Sequence, residues 1–376
     1  MPIHFSNRLL SKGLPVIFFR FSKTSRVWCV LAALFCLGLS ADTASAQSST
    51  ATHSTVKKSS SKKTITRKTT ASRTPTSTPA AARSQYRSRA AAQARLLREA
   101  QEPRFRLDES GALVPDIRAE AAIIYDSATG HVLWESNSTN QRSIASITKV
   151  MTAVVFMEDS PDLSQEVVIQ PTDVRAASTT YLRSAYRVTK GDLLHLTLMA
   201  SDNAAARALA RVSSLGSEAF IARMNSKAAE LGLESTSYSD PSGLLAANVS
   251  SAYDMAKLIS FVSGDERIAS VMRKQTYTVT TGRRVINIHS TNQLVMNGDV
   301  DVQAGKTGFI SKSGYCLATL LRLPQGGPPV AVVVLGAKSN AGRFWETRHL
   351  FNWFASKAED LLGTPLQAAT ATPATN

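Results

Sequence analysis

Ser146 and Lys149 stand three residues apart in the stretch Ser143-Ile144-Ala145-Ser146-Ile147-Thr148-Lys149-Val150-Met151. On a helix that spacing puts a hydroxyl and an amine on one face. An amine that has lost its proton can take one from a serine and make it a nucleophile. Ile147, Val150, Met151, Val154 and Val155 follow helical spacing and predict a buried helix starting here. Burial favours the neutral amine, and the free N–H groups of a first helical turn favour negative charge developing at Ser146. Alone the pair says little, because Ser54 with Lys57, Ser59 with Lys62 and Ser60 with Lys63 repeat the spacing in a basic stretch where it carries no chemistry.

Two further motifs follow. Ser201-Asp202-Asn203 places a hydroxyl and an amide between two predicted helices, and Lys306-Thr307-Gly308 places a second amine on a predicted strand. Taken singly, the first reads equally as a cluster of N-caps before Ala204, and the second as a strand end with a breaker. In this order, at a helix start, an inter-helix loop and a sheet strand, the three agree with a serine–lysine acyl-transfer set.

The elements that must hold these residues are legible from periodicity. Ala121–Tyr125 and His131–Glu135 read as a hairpin around the turn Asp126–Gly130. Val167–Ile169 and Arg187–Thr189 read as short strands. Helices are predicted over Gly191–Ala200, Ala204–Val212, Glu218–Leu231, Ala252–Val262 with Ser251 as N-cap, and 266–273. Asp240-Pro241-Ser242-Gly243-Leu244 is a turn. Gln303–Phe309 and Tyr315–Leu323 are strands around Ser313-Gly314, and Val330–Leu335 is a continuous apolar run, as in a strand buried on both faces. Gly342–Leu362 is an amphipathic helix. The expected class is α/β, a mostly antiparallel sheet with helices on both faces.

The 376 residues carry a formal charge of +15, unevenly placed. Residues 1–46 contribute +4, residues 47–106 contribute +12 and residues 107–376 contribute −1. Residues 1–46 read as a secretory signal: Arg8, Lys12, Arg20, Lys23 and Arg26, then the 13-residue apolar run Val27–Leu39, then Ala44-Ser45-Ala46 as a cleavage site. An uncleaved anchor is the alternative. This sets the expected location as periplasmic. Residues 47–115, rich in Ser, Thr, Lys, Arg, Ala and Pro, read as a disordered linker, with Ser84–Gln101 transiently helical. The linker is either a solvated spacer or a loose contact to an anionic wall or membrane surface. Nucleic acid is not expected as a partner, since the stretch lacks interleaved aromatics. Residues 116–364 form the folded domain and 365–376 a disordered tail.

Cys29 and Cys36 fall in the signal, leaving Cys316 alone, so no intrachain disulfide is expected after cleavage. The six histidines show no metal-ligand spacing, and neither metal nor other cofactor is expected. His195 reads as a satisfied core histidine and Cys316 as a buried, inert thiol.

With its three motifs, Asp240-Pro241-Ser242-Gly243-Leu244, Thr291-Asn292-Gln293-Leu294 and Tyr315-Cys316-Leu317-Ala318, the chain resembles the penicillin-binding and serine β-lactamase superfamily over about residues 118–362. Within it, the chain is similar to the low-molecular-mass D-alanyl-D-alanine peptidases, serine peptidase family S11, and most to their endopeptidase subgroup. The resemblance implies a β-lactamase/DD-peptidase-like fold acting on peptidoglycan stem peptides, with β-lactams as covalent inhibitors. It implies Ser146 as the acylated nucleophile, Lys149 as its proton acceptor and Ser201 as the relay to the leaving amine. Asn203 would steady Lys149 and the substrate amide. Lys306 would supply positive potential that helps keep Lys149 neutral, Thr307 would contact the substrate carboxylate, and Gly308 would let the substrate backbone lie on the strand. The backbone N–H groups of Ser146 and Phe309 would form the oxyanion hole.

Three alternatives stand beside this reading. A D-alanyl-D-alanine carboxypeptidase would use the same residues, but many of these carry an extra C-terminal β-domain and an amphipathic anchor, and only 68 residues follow Gly308. A serine β-lactamase would need a deacylating glutamate in a Glu-x-x-Leu-Asn segment, which neither Glu230 nor Glu234 supplies. A non-catalytic wall-binding scaffold would rely on the basic linker.

Overall fold

The computed structural model describes residues 101–362 continuously, with a few positions between 87 and 98. These lie in one unit, residues 76–376. The expected signal over 1–46, most of the expected linker and the expected tail lie outside the described residues.

In chain order the elements are β1 (Phe105–Leu107), β2 (Leu113–Pro115), β3 (Ala121–Asp126), β4 (Val132–Ser136) and β5 (Arg142–Ser143). A 3-10 turn (Ala145–Ile147) runs into α1 (Thr148–Met157), followed by β6 (Glu166–Val168), α2 (Pro171–Val174) and β7 (Arg187–Thr189). Then come α3 (Lys190–Leu198), α4 (Asn203–Val212), α5 (Gly216–Glu230), β8 (Val249–Ser250), α6 (Ala252–Ser263) and α7 (Glu266–Arg273). The chain closes with β9 (Thr276–Thr280), β10 (Val285–His289), α8 (Gln293–Asn297), β11 (Asp301–Ile310), β12 (Gly314–Arg322), β13 (Pro329–Ala337) and α9 (Asn340–Leu362).

The central sheet is antiparallel throughout, in the order β11-β12-β13-β3-β4. Its middle strand, β13, explains the unbroken apolar run: Ala331, Val333 and Leu335 enter one core, and Val330, Val332 and Val334 enter the other. Neighbouring β3 divides in the same way, with Ile123 and Tyr125 on one side and Ala122 and Ile124 on the other. The first core is closed by α1 and α3 to α7. The second is closed by α8 and by Phe344, Leu350, Phe351 and Phe354 of α9. Helices therefore cover both faces, as the sequence predicts.

Local signals start the helices that matter for the site. Thr189 and Asp192 form a capping box at α3, Asp202 caps α4 by accepting from the Ala205 N–H at 2.9 Å, and Ser251 caps α6.

Three features differ from expectation. Ordered chain begins before residue 116, because β1 and β2 pair inside the range read as linker. Few of their side chains are buried, so composition hides them. The hairpin is held by backbone pairing, by an Arg104–Asp116 ion pair, and by α9, where His349 Nε2 meets the Arg104 carbonyl at 2.7 Å. Second, β9 and β10 form a hairpin not read from the sequence, although Val279, Ile286 and Ile288 turn inward with strand periodicity. Third, Ser146 sits in the 3-10 turn that precedes α1, not in the α-helix itself. Among the described residues, no helix is long and apolar enough to cross a membrane, and no group of side chains could hold a metal ion.

Candidate active site

The turn that carries Ser146 is tightly wedged. Ala145 is held at φ +48°, a left-handed conformation that costs energy for a residue with a Cβ. Two glycines make room for it. Gly243 has φ +77°, and a Cβ there would lie 2.1 Å from the Ala145 carbonyl oxygen. A Cβ at Gly308 would lie 2.6 Å from the Ile144 carbonyl oxygen. The sequence reading placed the need for Gly308 on the substrate side. The structure gives it a second reason, the close approach of β11 to the nucleophile turn. Gly243→Ala is expected to destabilise the fold by roughly 2–4 kcal/mol and to weaken penicillin labelling. Thermal denaturation and a labelling gel read the two effects.

Lys149 is fully buried. Its Nζ meets Ser146 Oγ at 2.8 Å, Asn203 Oδ1 at 2.7 Å and the Ser242 carbonyl oxygen in a short contact. The last two partners can only accept. Asn203 is fixed in that sense because its Nδ2 donates to the Ala177 carbonyl at 2.7 Å. A neutral amine has two N–H bonds and one lone pair. Spending both N–H bonds on Asn203 and Ser242 leaves the lone pair facing the Ser146 hydroxyl. Burial supports that state: it pulls the amine down to about 7, with Arg207 assisting and the negative charges of Asp202 and Asp240 opposing. Burial, not repulsion from Lys306, is thus the main reason that it is lowered.

The Ser242 carbonyl comes from the turn Asp240–Leu244. Burial alone would raise Asp240, but it stays low because the Ser242 hydroxyl, the Leu245 N–H and the Asn248 amide all donate to it. Thr152 of α1 donates to the Pro241 carbonyl at 2.6 Å and ties this turn to the nucleophile helix.

Ser201 adopts φ +58°, a strained conformation just before α4. Its Oγ accepts from Lys306 Nζ at 2.8 Å, and the same amine donates to the Thr307 carbonyl at 2.9 Å. Lys306 is buried and held well below its ordinary value, first by that burial and then by the charges of Lys149 and Arg343. Asp202 turns away from the cavity. It caps α4 and accepts from the Tyr181 N–H at 2.6 Å and Thr180 Oγ1 at 3.0 Å. The N-cap reading of this motif is realised by Asp202, while Ser201 and Asn203 contact the two buried lysines.

These groups meet at a cavity of about 540 Å³ whose wall includes Ser146, Ser201, Asn203, Thr307, Gly308 and Phe309. Every predicted site residue lines it except Lys149 and Lys306, which lie behind it and touch it through Ser146 and Ser201. Other residues join them that were not assigned to the site from the sequence, although Thr291 and Leu244 lie in motifs quoted there. Thr291 shares a 2.7 Å hydroxyl contact with Thr307. Thr179 and Leu244 add to the wall. Arg343 of α9 reaches under β11, donating to the Gly308 and Cys316 carbonyls at 3.0 and 3.1 Å. Burial draws it down to about 10, so it stays a cation at neutral pH. Phe309 is 48% exposed and stacks on Tyr315 with ring centroids 4.2 Å apart.

Cys316 is buried as expected, while His195 is satisfied but only part-buried, not in the core, with its Nε2 meeting Lys274 Nζ at 3.0 Å. His195 Nδ1 meets the Gly191 carbonyl at 2.8 Å and the ring stacks on Tyr277. Cys316 is buried, and that burial raises its thiol.

The chain is similar to several known proteins. The chain is 32% identical over 242 residues to the D-alanyl-D-alanine endopeptidase of Haemophilus influenzae, covering 64% of this chain and 83% of that one. It is 32% identical over 243 residues to the Escherichia coli protein of the same name, covering 64% and 78%. The crystal structure of the Streptomyces K15 DD-transpeptidase aligns with a TM-score of 0.59 at 28% identity, over 64% of this chain and 97% of that one. Residues 108–339 match the peptidase S11 family, described as D-alanyl-D-alanine carboxypeptidase. Because that match covers most of the chain and encloses all three motifs, the chain belongs to the peptidase S11 family.

Proposed function

We propose that this protein is a serine DD-peptidase that cleaves peptidoglycan stem peptides through an ester on Ser146, with the D-alanyl cross-link between two stems as its main target. The observation that carries this reading is the 2.8 Å contact of buried Lys149 Nζ with Ser146 Oγ, the other two partners of that amine being acceptors only. Lys149 takes the hydroxyl proton as Oγ attacks the D-alanyl carbonyl. The backbone N–H groups of Ser146 and Phe309 receive the developing oxyanion, where one such donor is typically worth about 10²–10³ in rate. Ser201 passes a proton to the leaving amine and recovers one through its contact with Lys306. Water then enters by the leaving amine's route and gives its proton to Ser201, which passes it back to Lys306, while the Ser146 oxygen leaves the acyl carbon and recovers its proton from Lys149, so both lysines return to their starting states. Thr307 and Arg343 give the site a cationic, hydroxyl-bearing end suited to the carboxylate on the leaving side.

Cross-link cleavage is favoured over removal of a terminal alanine by the pattern of relatives. The chain spans 83% and 78% of the two D-alanyl-D-alanine endopeptidases but 63% of the carboxypeptidase DacF of Bacillus subtilis. β-Lactams present a strained amide to the same serine and would leave a long-lived ester. A wall substrate fits a periplasmic location, reached through the signal read at residues 1–46.

The test is digestion of purified muropeptides, with and without prior penicillin, read by mass spectrometry. Dimers are expected to split into monomers, and penicillin to block the splitting. Loss of only a terminal alanine from pentapeptides would make the protein a carboxypeptidase. Rapid catalytic turnover of penicillin would make it a β-lactamase.

A further inference from the structure

Two segments that meet at Tyr186 each carry two arginines. Arg183 and Arg187 flank Tyr186 in the chain, and the Arg284 guanidinium lies over the Tyr186 ring, 6.0 Å from its centroid. Arg283 precedes Arg284 at the tip of the β9–β10 hairpin, and the Arg187 N–H meets the Thr281 carbonyl of that hairpin at 3.4 Å. All four side chains belong to exposed residues.

Two observations set this cluster apart from an ordinary solvated surface. First, its charges are largely unopposed. Arg104, Arg211, Arg223, Arg267, Arg273, Arg322 and Arg348 are each paired with a carboxylate. Among the described residues, the one ion pair of these four arginines is a loose one, Arg187 to Glu166 at 3.9 Å, with both side chains more than 60% exposed. Residues 107–376 are near neutral as a whole, so the field is local. Second, the cluster is mechanically joined to the site. The strap between α2 and β7 contributes Thr179 to the cavity wall and runs on to Arg183. The Ser201-Asp202-Asn203 motif holds that strap: the Asn203 N–H donates to the Thr179 carbonyl at 3.0 Å, and Asp202 accepts from the Tyr181 N–H at 2.6 Å.

We infer that Arg183, Arg187, Arg283 and Arg284 form a cationic lip that grips carboxylates on the second peptide stem of a cross-linked wall polymer. The inference rests on the wall-peptidase reading. A cross-link joins two stems. One enters the cavity, and the other must leave it along a wall of the protein, carrying the free carboxylates of its acidic residues. Arginine offers a planar fork that matches a carboxylate, and unpaired surface arginines keep it available. The lip acts on engagement with polymer and leaves the bond-breaking residues untouched.

The test compares the full chain with its Arg183→Gln/Arg283→Gln/Arg284→Gln variant, the basic N-terminal segment being identical in both. Co-sedimentation with purified sacculi in dilute salt is expected to weaken about tenfold in the variant. The gap is expected to close near 1 M salt, where charges are screened within about 3 Å. Penicillin labelling of Ser146 is expected to be unchanged and so reports an intact fold. The corresponding triple lysine variant is expected to recover most of the binding. If the glutamine triple loses labelling, Arg283→Gln alone, at the hairpin tip, is compared with wild type in the same assay. Sacculus retention equal to wild type overturns the lip, as does a loss that persists at high salt. A loss confined to vesicles of anionic phospholipid, with sacculus binding kept, also overturns it. Co-sedimentation needs no bond cleavage. A wild-type protein that takes penicillin but splits no cross-link would therefore sink the peptidase reading, while the lip would still be judged by binding.

Discussion

Ser146→Ala is expected to abolish penicillin labelling and to lower muropeptide turnover by about 10⁴-fold or more, the usual cost of deleting an acylated serine. The fold should survive, since Ser146 Oγ is held through one side-chain contact, to Lys149. The melting temperature is expected to stay within a few degrees of wild type. Intact-protein mass spectrometry after penicillin treatment reads the result. An adduct that persists in the variant would place the nucleophile elsewhere and overturn the mechanism.

Lys149→Arg is expected to slow acylation by about 10³-fold or more, although the substitution keeps the charge of an ordinary lysine. A guanidinium does not give up its proton in this range, so it has no lone pair to offer Ser146. The wild type should show the same requirement through pH. Burial brings Lys149 to about 7. Below that value the amine gains a third N–H and loses its lone pair, so the acylation rate should fall about tenfold per pH unit on the acid side. Above it the rate should level off. The second-order rate constant for penicillin acylation, measured from acid to mildly basic pH, checks this. A rate that stays flat through neutrality would remove Lys149 as the base.

How much of this was legible in the sequence depended on the range of the forces involved. Ser146 and Lys149 could be paired because three residues of helical chain bring them together without help. The two-faced burial of β13 could be read because a central strand needs apolar residues on both sides, and Val330–Leu335 supplies them. Contacts made by backbone atoms across long separations left no such mark. Nothing in Ser242 as a residue type says that its carbonyl will meet Lys149, 93 positions away. Arg343 looked like one more polar position on an amphipathic helix until α9 packed under β11. Gly308 was assigned to the site for the substrate's sake, while its closest neighbour is the nucleophile turn. The β1–β2 hairpin was concealed by composition, because its strands are held more by backbone pairing than by buried side chains. The arginines of the lip come from two segments about 100 residues apart, and only the β9–β10 hairpin makes them neighbours.

The wedge between Gly243 and Gly308 also bears on how resistance to β-lactams could arise here. The nucleophile turn is pinned from two sides by backbone, and each glycine would bring a new side chain against a carbonyl oxygen. Reshaping the turn to exclude a drug while sparing the natural substrate is closed to single substitutions at these positions. Laboratory selection under penicillin should instead draw on the outer wall, at Leu244 and the Phe309 ring, where side chains can change without moving Ser146.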